Sequence, residues 1–260
     1  MQKRCPPWKP ALLTLMLAAG PAVAQTAQPP CPGNPDALST SRVIAVDAAT
    51  APRVGRKQFP ATLPLADKEV VLTFDDGPWP GTTSAVLDAL RRECVRATFF
   101  LVGRNAVNHP ELARREVAEG HTVAYHSFRH PLLDRMSPQA AEAEIDRGFA
   151  AVDAALYGQD SKWPQTPFFR FPGFASTPYL LNRLAVRHIV VFGADLWAGD
   201  WRAMSPHREL DQVLDRLRAA RGGIVLFHDT KRQTAVMLPA FLRLLKTEGY
   251  RIVHVVAPAP

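Results

Sequence analysis

The chain has 260 residues, of which 47% are hydrophobic and 21% charged, and its formal net charge is +7. That balance fits one globular domain of barrel or α/β size and excludes a chain disordered throughout. The charge does not mark a nucleic-acid binder: without Lys3, Arg4 and Lys9 the net charge falls from +7 to 7 − 3 = +4, and the other arginines form no basic stripe interleaved with aromatics.

After the basic start, an apolar run from Ala11 to Ala19 is too short to span a membrane comfortably. Ala22-Val23-Ala24 then supplies the small-x-small pattern of a signal-peptidase site. Residues 1–24 are therefore expected to be an export signal, with Gln25 as the mature start. The protein would be periplasmic or secreted, with no stable membrane insertion after cleavage; an uncleaved anchor is the alternative. Cys5 leaves with the signal, so Cys31 and Cys94 remain, either as one disulfide or as two free thiols.

Residues 25–66 are rich in Pro, Ala and Thr and read as an N-terminal extension, in which only 42–47 alternates like a strand. From Glu69 the pattern becomes regular. Short apolar runs at 70–74, 97–102, 122–125, 168–171, 188–192, 223–227 and 251–256 read as buried strands. Helical segments fall between them at 82–92, 110–119, 137–156, 177–185, 206–220 and 234–248. Strands alternating with helices imply an α/β fold, here a distorted (β/α) barrel of about seven parallel strands, with 67–257 as the catalytic domain.

The chemistry-bearing residues fall at predicted strand ends. In Thr73-Phe74-Asp75-Asp76-Gly77-Pro78 two adjacent carboxylates sit where a parallel barrel places its active site. They repel each other, and a cation beside them removes that penalty; a solvated turn is the bland alternative. His126-Ser127-Phe128-Arg129-His130 follows another strand, and four-residue spacing on a helical turn would present both imidazoles to one side. Ser127 stands where a zincin peptidase needs Glu, which removes that reading. Asp76, His126 and His130 together make a three-ligand site for a divalent metal with a position left open. Three further groups end strands: Arg170-Phe171-Pro172-Gly173-Phe174, Asp195-Leu196-Trp197-Ala198-Gly199-Asp200-Trp201 and Leu226-Phe227-His228-Asp229. Trp79, Phe174, Tyr179 and Trp197 are candidate sugar-stacking faces, each but Trp79 equally readable as core.

Taken in order, TFDDGP, HSFRH, RFPGF, DLWAGDW and LFHD resemble the polysaccharide deacetylase family, the NodB-homology or carbohydrate esterase family 4 domain. The resemblance covers roughly Asp67 to Ala257 and implies a distorted (β/α) barrel. It implies that Asp76, His126 and His130 hold the metal, usually zinc in this family, and that Asp75 is the general base, tethered and kept ionised by Arg170. It further implies that the backbone near Gly173 binds the oxyanion, that His228 is the general acid tuned by Asp200, and that Trp201 packs beside it. Two departures stand out. An aromatic residue is common where Gly173 stands, and the family's two Asp residues of the fourth motif are usually closer than Asp195 and Asp200, so Asp200-Trp201 is the match carried over and Asp195 is left without a role.

The implied division of labour is physically coherent. An Asp with pKa about 3.9 faces a gap of roughly 16 kcal/mol in deprotonating bulk water, and a catalytic metal shrinks it to roughly 4 kcal/mol. The implied reaction is metal-dependent removal of N-acetyl groups from a glycan containing N-acetylglucosamine, such as peptidoglycan or a chitooligosaccharide. Two alternatives stay open: O-deacetylation of an acetylated polysaccharide, and a non-catalytic glycan-binding protein on the same fold.

Overall fold

The structure is a computed structural model and describes residues 31–159 and 163–259. The expected export signal, residues 1–24, lies outside the described residues. The strands and helices run β1 (Thr40–Ala45), β2 (Arg53–Val54), β3 (Glu69–Asp75), α1 (Thr82–Arg92), β4 (Thr98–Leu101), α2 (Gly103–Asn108), α3 (Pro110–Ala118), β5 (Thr122–Tyr125) and α4 (Pro138–Tyr157). They continue with β6 (Phe168–Phe169), α5 (Pro178–Ala185), β7 (Val190–Phe192), β8 (Leu196–Trp197), α6 (Pro206–Ala220), β9 (Gly223–His228), α7 (Arg232–Thr247) and β10 (Arg251–Val256). Among the described residues no helix is long and apolar enough to cross a membrane.

Seven strands form an open ring in the order β8-β9-β3-β4-β5-β6-β7, every pairing parallel. The ring is distorted because β7 and β8 follow each other with only residues 193–195 between them and do not pair among the described residues. All seven apolar runs are strands, but the seventh, 251–256, is not a wall of the ring. As β10 it pairs with only the first two residues of β3 and carries β1 on its other side. The seventh wall is β8, whose two residues are too few to show any periodicity. Segment 42–47 does form a strand, β1, and β2 adds to β7. A disulfide joins Cys31 to Cys94, just beyond α1.

Strand parity sorts the side chains into two layers. Val71, Phe100, Ala124, Phe168, Val190, Phe192 and Ile224 fill the inside of the ring. Val70, Leu72, Phe74, Phe99, Tyr125, Phe169, Val191, Val225 and Phe227 point outwards and pack under the helices. The inner parity of β3 passes through Val71 and Thr73 to Asp75, that of β5 through Ala124 to His126, and that of β6 through Phe168 to Arg170. Burial of the aliphatic layers thus aims the polar residues at the strand ends into the mouth of the ring. Helix starts are set by local chemistry: the side chains of Ser137, Thr177 and Ser205 cap α4, α5 and α6, each with proline next in sequence. Thr82, by contrast, is the first residue of α1 and not its cap, which is Gly81.

Candidate active site

The mouth of the ring holds a cavity of about 380 Å³ lined by Asp75, Asp76, His126, His130 and His228, with Gly173, Phe174, Trp197 and Trp201 on its wall. Parity brings Asp75 inwards, and it would send the next side chain out. Asp76 escapes because its φ is 79°, a left-handed conformation that turns its carboxylate back towards the same space. The following Gly77 is obligatory: a Cβ there would lie 2.1 Å from Oδ2 of Asp229.

His126 and His130 meet by a route different from the expected one. The segment between them is not a helical turn, because Ser127 and His130 have φ of 63° and 64°, which no right-handed helix permits. The loop still puts the two rings on one side, with centroids 4.9 Å apart. Asp76, His126 and His130 offer ligand atoms all within 4.8 Å of one another. Oδ1 of Asp76 lies 3.7 Å from Nε2 of His126 and 3.3 Å from Nε2 of His130. That oxygen is buried and accepts no hydrogen bond from any described residue. Nδ1 of His126 faces the carbonyl oxygen of Arg170 at 2.7 Å; a carbonyl only accepts, so Nδ1 carries the proton and Nε2 presents its lone pair. Burial, helped by the neighbouring His130, lowers the His126 pKa to about 3, so the ring is neutral. An orphaned carboxylate oxygen beside a neutral imidazole and a second histidine is a donor set that fits a divalent ion.

Asp75 is held from behind. Arg170 is wholly buried and donates to Oδ1 of Asp75 at 2.6 Å, to Oγ1 of Thr73 at 2.9 Å, and to the carbonyls of Gly193 at 2.8 Å and Phe192 at 3.3 Å. Its guanidinium also lies 4.2 Å from the ring centre of Phe100. Burial pushes the Asp75 carboxyl above its ordinary value, and the charges of Arg170 and His228 oppose the rise without cancelling it. Arg170 therefore limits the rise and favours the ionised carboxylate.

On the opposite side, His228 Nδ1 donates to Oδ1 of Asp200 at 2.7 Å. Oδ2 of Asp200 accepts from the His228 backbone N–H at 2.7 Å and from the hydroxyl of Thr234 at 2.8 Å. Burial alone would lower the His228 pKa, but the hydrogen bond and charge of Asp200, then Asp76 and Asp75, outweigh it and raise the value to about 9. Thr234 Oγ1 also lies 2.9 Å from Oε1 of buried Glu209, and one hydroxyl proton cannot serve two carboxylates. Burial first, then Asp200, raises Glu209 to about 7, which lets Glu209 supply the proton on its side while Thr234 donates to Asp200.

Trp201 meets His228 edge-on at 6.0 Å and Trp197 at 5.8 Å, and Trp197 stacks on Phe174 at 6.4 Å. These rings form one apolar wall of the cavity. Gly173, with φ of 56°, permits the turn, and a side chain there would strike Leu132. Trp79 lies outside this cavity, in the adjoining one. Tyr179 is not at the site: its hydroxyl donates to Glu142 of α4. Asp195 is also elsewhere, its carboxylate accepting from the backbone of Arg56 and Ile224 and from the Thr62 hydroxyl, so it ties the 56–62 loop to the start of β9. Sequence reasoning missed Thr73, Thr234 and Asn105, which donates to the carbonyl of Asp76 at 2.8 Å. Thr73 opens the first motif, but nothing local marks its hydroxyl as a partner of Arg170; Thr234 and Asn105 sit in no motif, and only their long-range contacts reveal them.

Residues 63–187 match the family model described as polysaccharide deacetylase. A chitooligosaccharide deacetylase of Bradyrhizobium is 38% identical over 168 residues, covering 62% of this chain and 71% of that protein. A peptidoglycan-N-acetylglucosamine deacetylase of Listeria monocytogenes is 32% identical over 231 residues, 86% of this chain. The chain spans only 47% of that relative's length. A solved Bdellovibrio bacteriovorus peptidoglycan deacetylase matches with a TM-score of 0.75 at 33% identity, covering 85% of this chain and 60% of that one.

Proposed function

The chain belongs to the polysaccharide deacetylase family, and from that premise we propose that it is a metal-dependent hydrolase removing N-acetyl groups from glycans that contain N-acetylglucosamine. The observation that carries this reading is the two-sided site. An Arg170–Asp75 pair and an Asp200–His228 pair face one cavity from either side of the Asp76, His126 and His130 set.

Asp76, His126 and His130 would hold the ion, and zinc suits one carboxylate with two imidazoles. When bound, such an ion supplies Lewis acidity that lowers the pKa of a water from about 15.7 to about 7 and steadies charge on a carbonyl oxygen. Asp75 takes the proton of the attacking water through Oδ2, which is 3.7 Å from Nε2 of His126, while Arg170 occupies Oδ1 and fixes the carboxylate's direction. The water oxygen bonds to the acetamide carbon, and the backbone N–H of Gly173 meets the charge that develops on the acetyl oxygen, since those of Phe174 and Ala175 are already donated to Phe171 and Pro172. Collapse breaks the C–N bond as Nε2 of His228 gives its proton to the departing nitrogen, releasing amine and acetate. With Nδ1 committed to Asp200 and a pKa of about 9, His228 carries that proton before the reaction starts. Phe174, Trp197 and Trp201 offer aromatic faces to the sugar ring and exclude water.

Residues 67–257 form the catalytic domain on this reading, and the substrate class puts the protein in the periplasm or outside the cell. A Cys31–Cys94 disulfide suits such an oxidising compartment. Acetate release from chitooligosaccharides, peptidoglycan and acetylxylan tests the reading. Release from the first two is expected; release from acetylxylan alone would make the protein an O-acetyl esterase, and no release from any would leave only glycan binding.

A further inference from the structure

A second cavity, of about 430 Å³, opens beside the catalytic one and shares Asp76, His130 and Lys231 with it. Its outer wall is made by Trp79, Arg104 and Asn105. Both volumes lie within the usual range for small-ligand sites, about 300–1,000 Å³. Trp79 is 49% exposed although its position is fixed: its backbone N–H donates to Thr83 at 2.7 Å, and its ring meets His109 edge-on at 6.2 Å. A half-exposed, anchored indole beside a catalytic cavity is a stacking face for a sugar. Its distinctive feature is charge. The nearby Arg129 pairs with Glu144, and Arg115 with Asp88 and Glu119. Arg104 and Lys231 form no ion pair with any described residue, and both face this cavity. Lys231 is also the N-cap residue of the 16-residue helix α7, whose N-terminus has no side-chain cap, so the helix dipole adds positive potential at the same place.

We propose that this cavity is an adjacent-sugar subsite that recognises a carboxylate carried by the sugar next to the one being deacetylated. Arg104 and Lys231 receive the carboxylate while Trp79 stacks on the ring. The proposal rests on the deacetylase reading and narrows it: the preferred substrate is a glycan whose N-acetylglucosamine alternates with a sugar bearing a free carboxylate, as in peptidoglycan strands freed of their stem peptides, over the neutral chitooligosaccharide.

The test compares kcat/KM for acetate release from three probes: chitooligosaccharide, peptidoglycan glycan fragments with free carboxylates, and the same fragments with those carboxylates amidated. The metal-loaded wild type should prefer the carboxylated fragments over the amidated ones by about tenfold at low salt, with the preference shrinking as salt rises. Arg104→Gln and Lys231→Gln should each lower that ratio several-fold, and Arg104→Glu should abolish it. Exposed Arg104 gives variants whose folding is checked by an unchanged thermal transition. A carboxylated-to-amidated ratio near one in the wild type, or a ratio untouched by all three variants, overturns the subsite while leaving N-deacetylation standing. Absence of acetate from every probe would instead overturn the deacetylase reading itself.

Discussion

Asp200→Asn is the sharpest perturbation of the acid side of the site. The substitution keeps the shape and still accepts a hydrogen bond from Nδ1 of His228, but it removes the charge that lifts the imidazole pKa to about 9. Burial, the largest single influence on His228, is then opposed only by Asp76 and Asp75, and the pKa should fall to about 6.5 or lower. At pH 7.5 more than about nine-tenths of His228 is protonated when the pKa is near 9, and about one-tenth or less when it is near 6.5. The loss of protonated acid alone therefore lowers kcat/KM about tenfold at that pH. The assay is acetate release from an N-acetylglucosamine oligosaccharide between pH 5 and 10, with wild type and variant loaded to equal metal content. The variant's basic limb should move down by roughly two pH units, so that lowering the pH towards 6 recovers much of the deficit. A variant whose basic limb stays where the wild type has it would refute the assignment of His228 as the acid tuned by Asp200.

The other predictions draw on the same geometry. Arg170→Met strands a buried carboxylate and removes four hydrogen bonds; breaking such a pair costs about 3–5 kcal/mol. Chemical denaturation should show that loss, and the acidic limb of the pH–rate profile should move up because the Asp75 carboxyl rises further. Replacing Cys31 and Cys94 together by Ser opens a link across 63 residues, for which chain entropy gives about 4 kcal/mol as an upper figure. The melting temperature should fall to match, with acetate release at 25 °C retained. In the metal-free protein His228 has a folded pKa of about 9 against 6.5 for the ordinary group. A raised pKa stabilises fully below pH 6.5 and is lost as pH rises through 9, a contribution of about 3 kcal/mol. His228→Gln should remove that fall in stability between pH 6.5 and 9, and an unchanged slope would contradict the assignment.

Much of this site was legible from strand ends. Asp75, His126, Arg170 and His228 converge because each ends or follows an apolar strand whose burial dictates direction, whereas Asp76 joins them only through its left-handed backbone and Asp200 through the loop after β8. Apolar runs of four residues or more were visible as strands, whereas β8, with two residues, was not. That omission made β10 look like the seventh wall. The approach of His126 and His130 was anticipated, but the reason was different: left-handed residues, and not a helical turn, bring the rings together. Tyr179 was misplaced because an exposed tyrosine looks the same in sequence whether it faces a sugar or, as here, Glu142. Thr234 and Asn105 were invisible because their partners lie 34 and 29 residues away and no local pattern requires a hydroxyl or an amide at those positions.

In the proposed mechanism Asp76, His126 and His130 hold an ion without which Asp75 cannot use water. The direct measurement is acetate release from N-acetylglucosamine oligosaccharides before chelation, after it, and after adding back zinc, with bound metal counted at each stage for wild type, His126→Ala and Asp75→Asn. About one ion per wild-type chain is expected, with activity that disappears with the ion and returns with it, no tight ion in His126→Ala, and full metal content with activity lower by about 10²–10⁴-fold in Asp75→Asn. Undiminished acetate release from chains shown to contain no metal would contradict it.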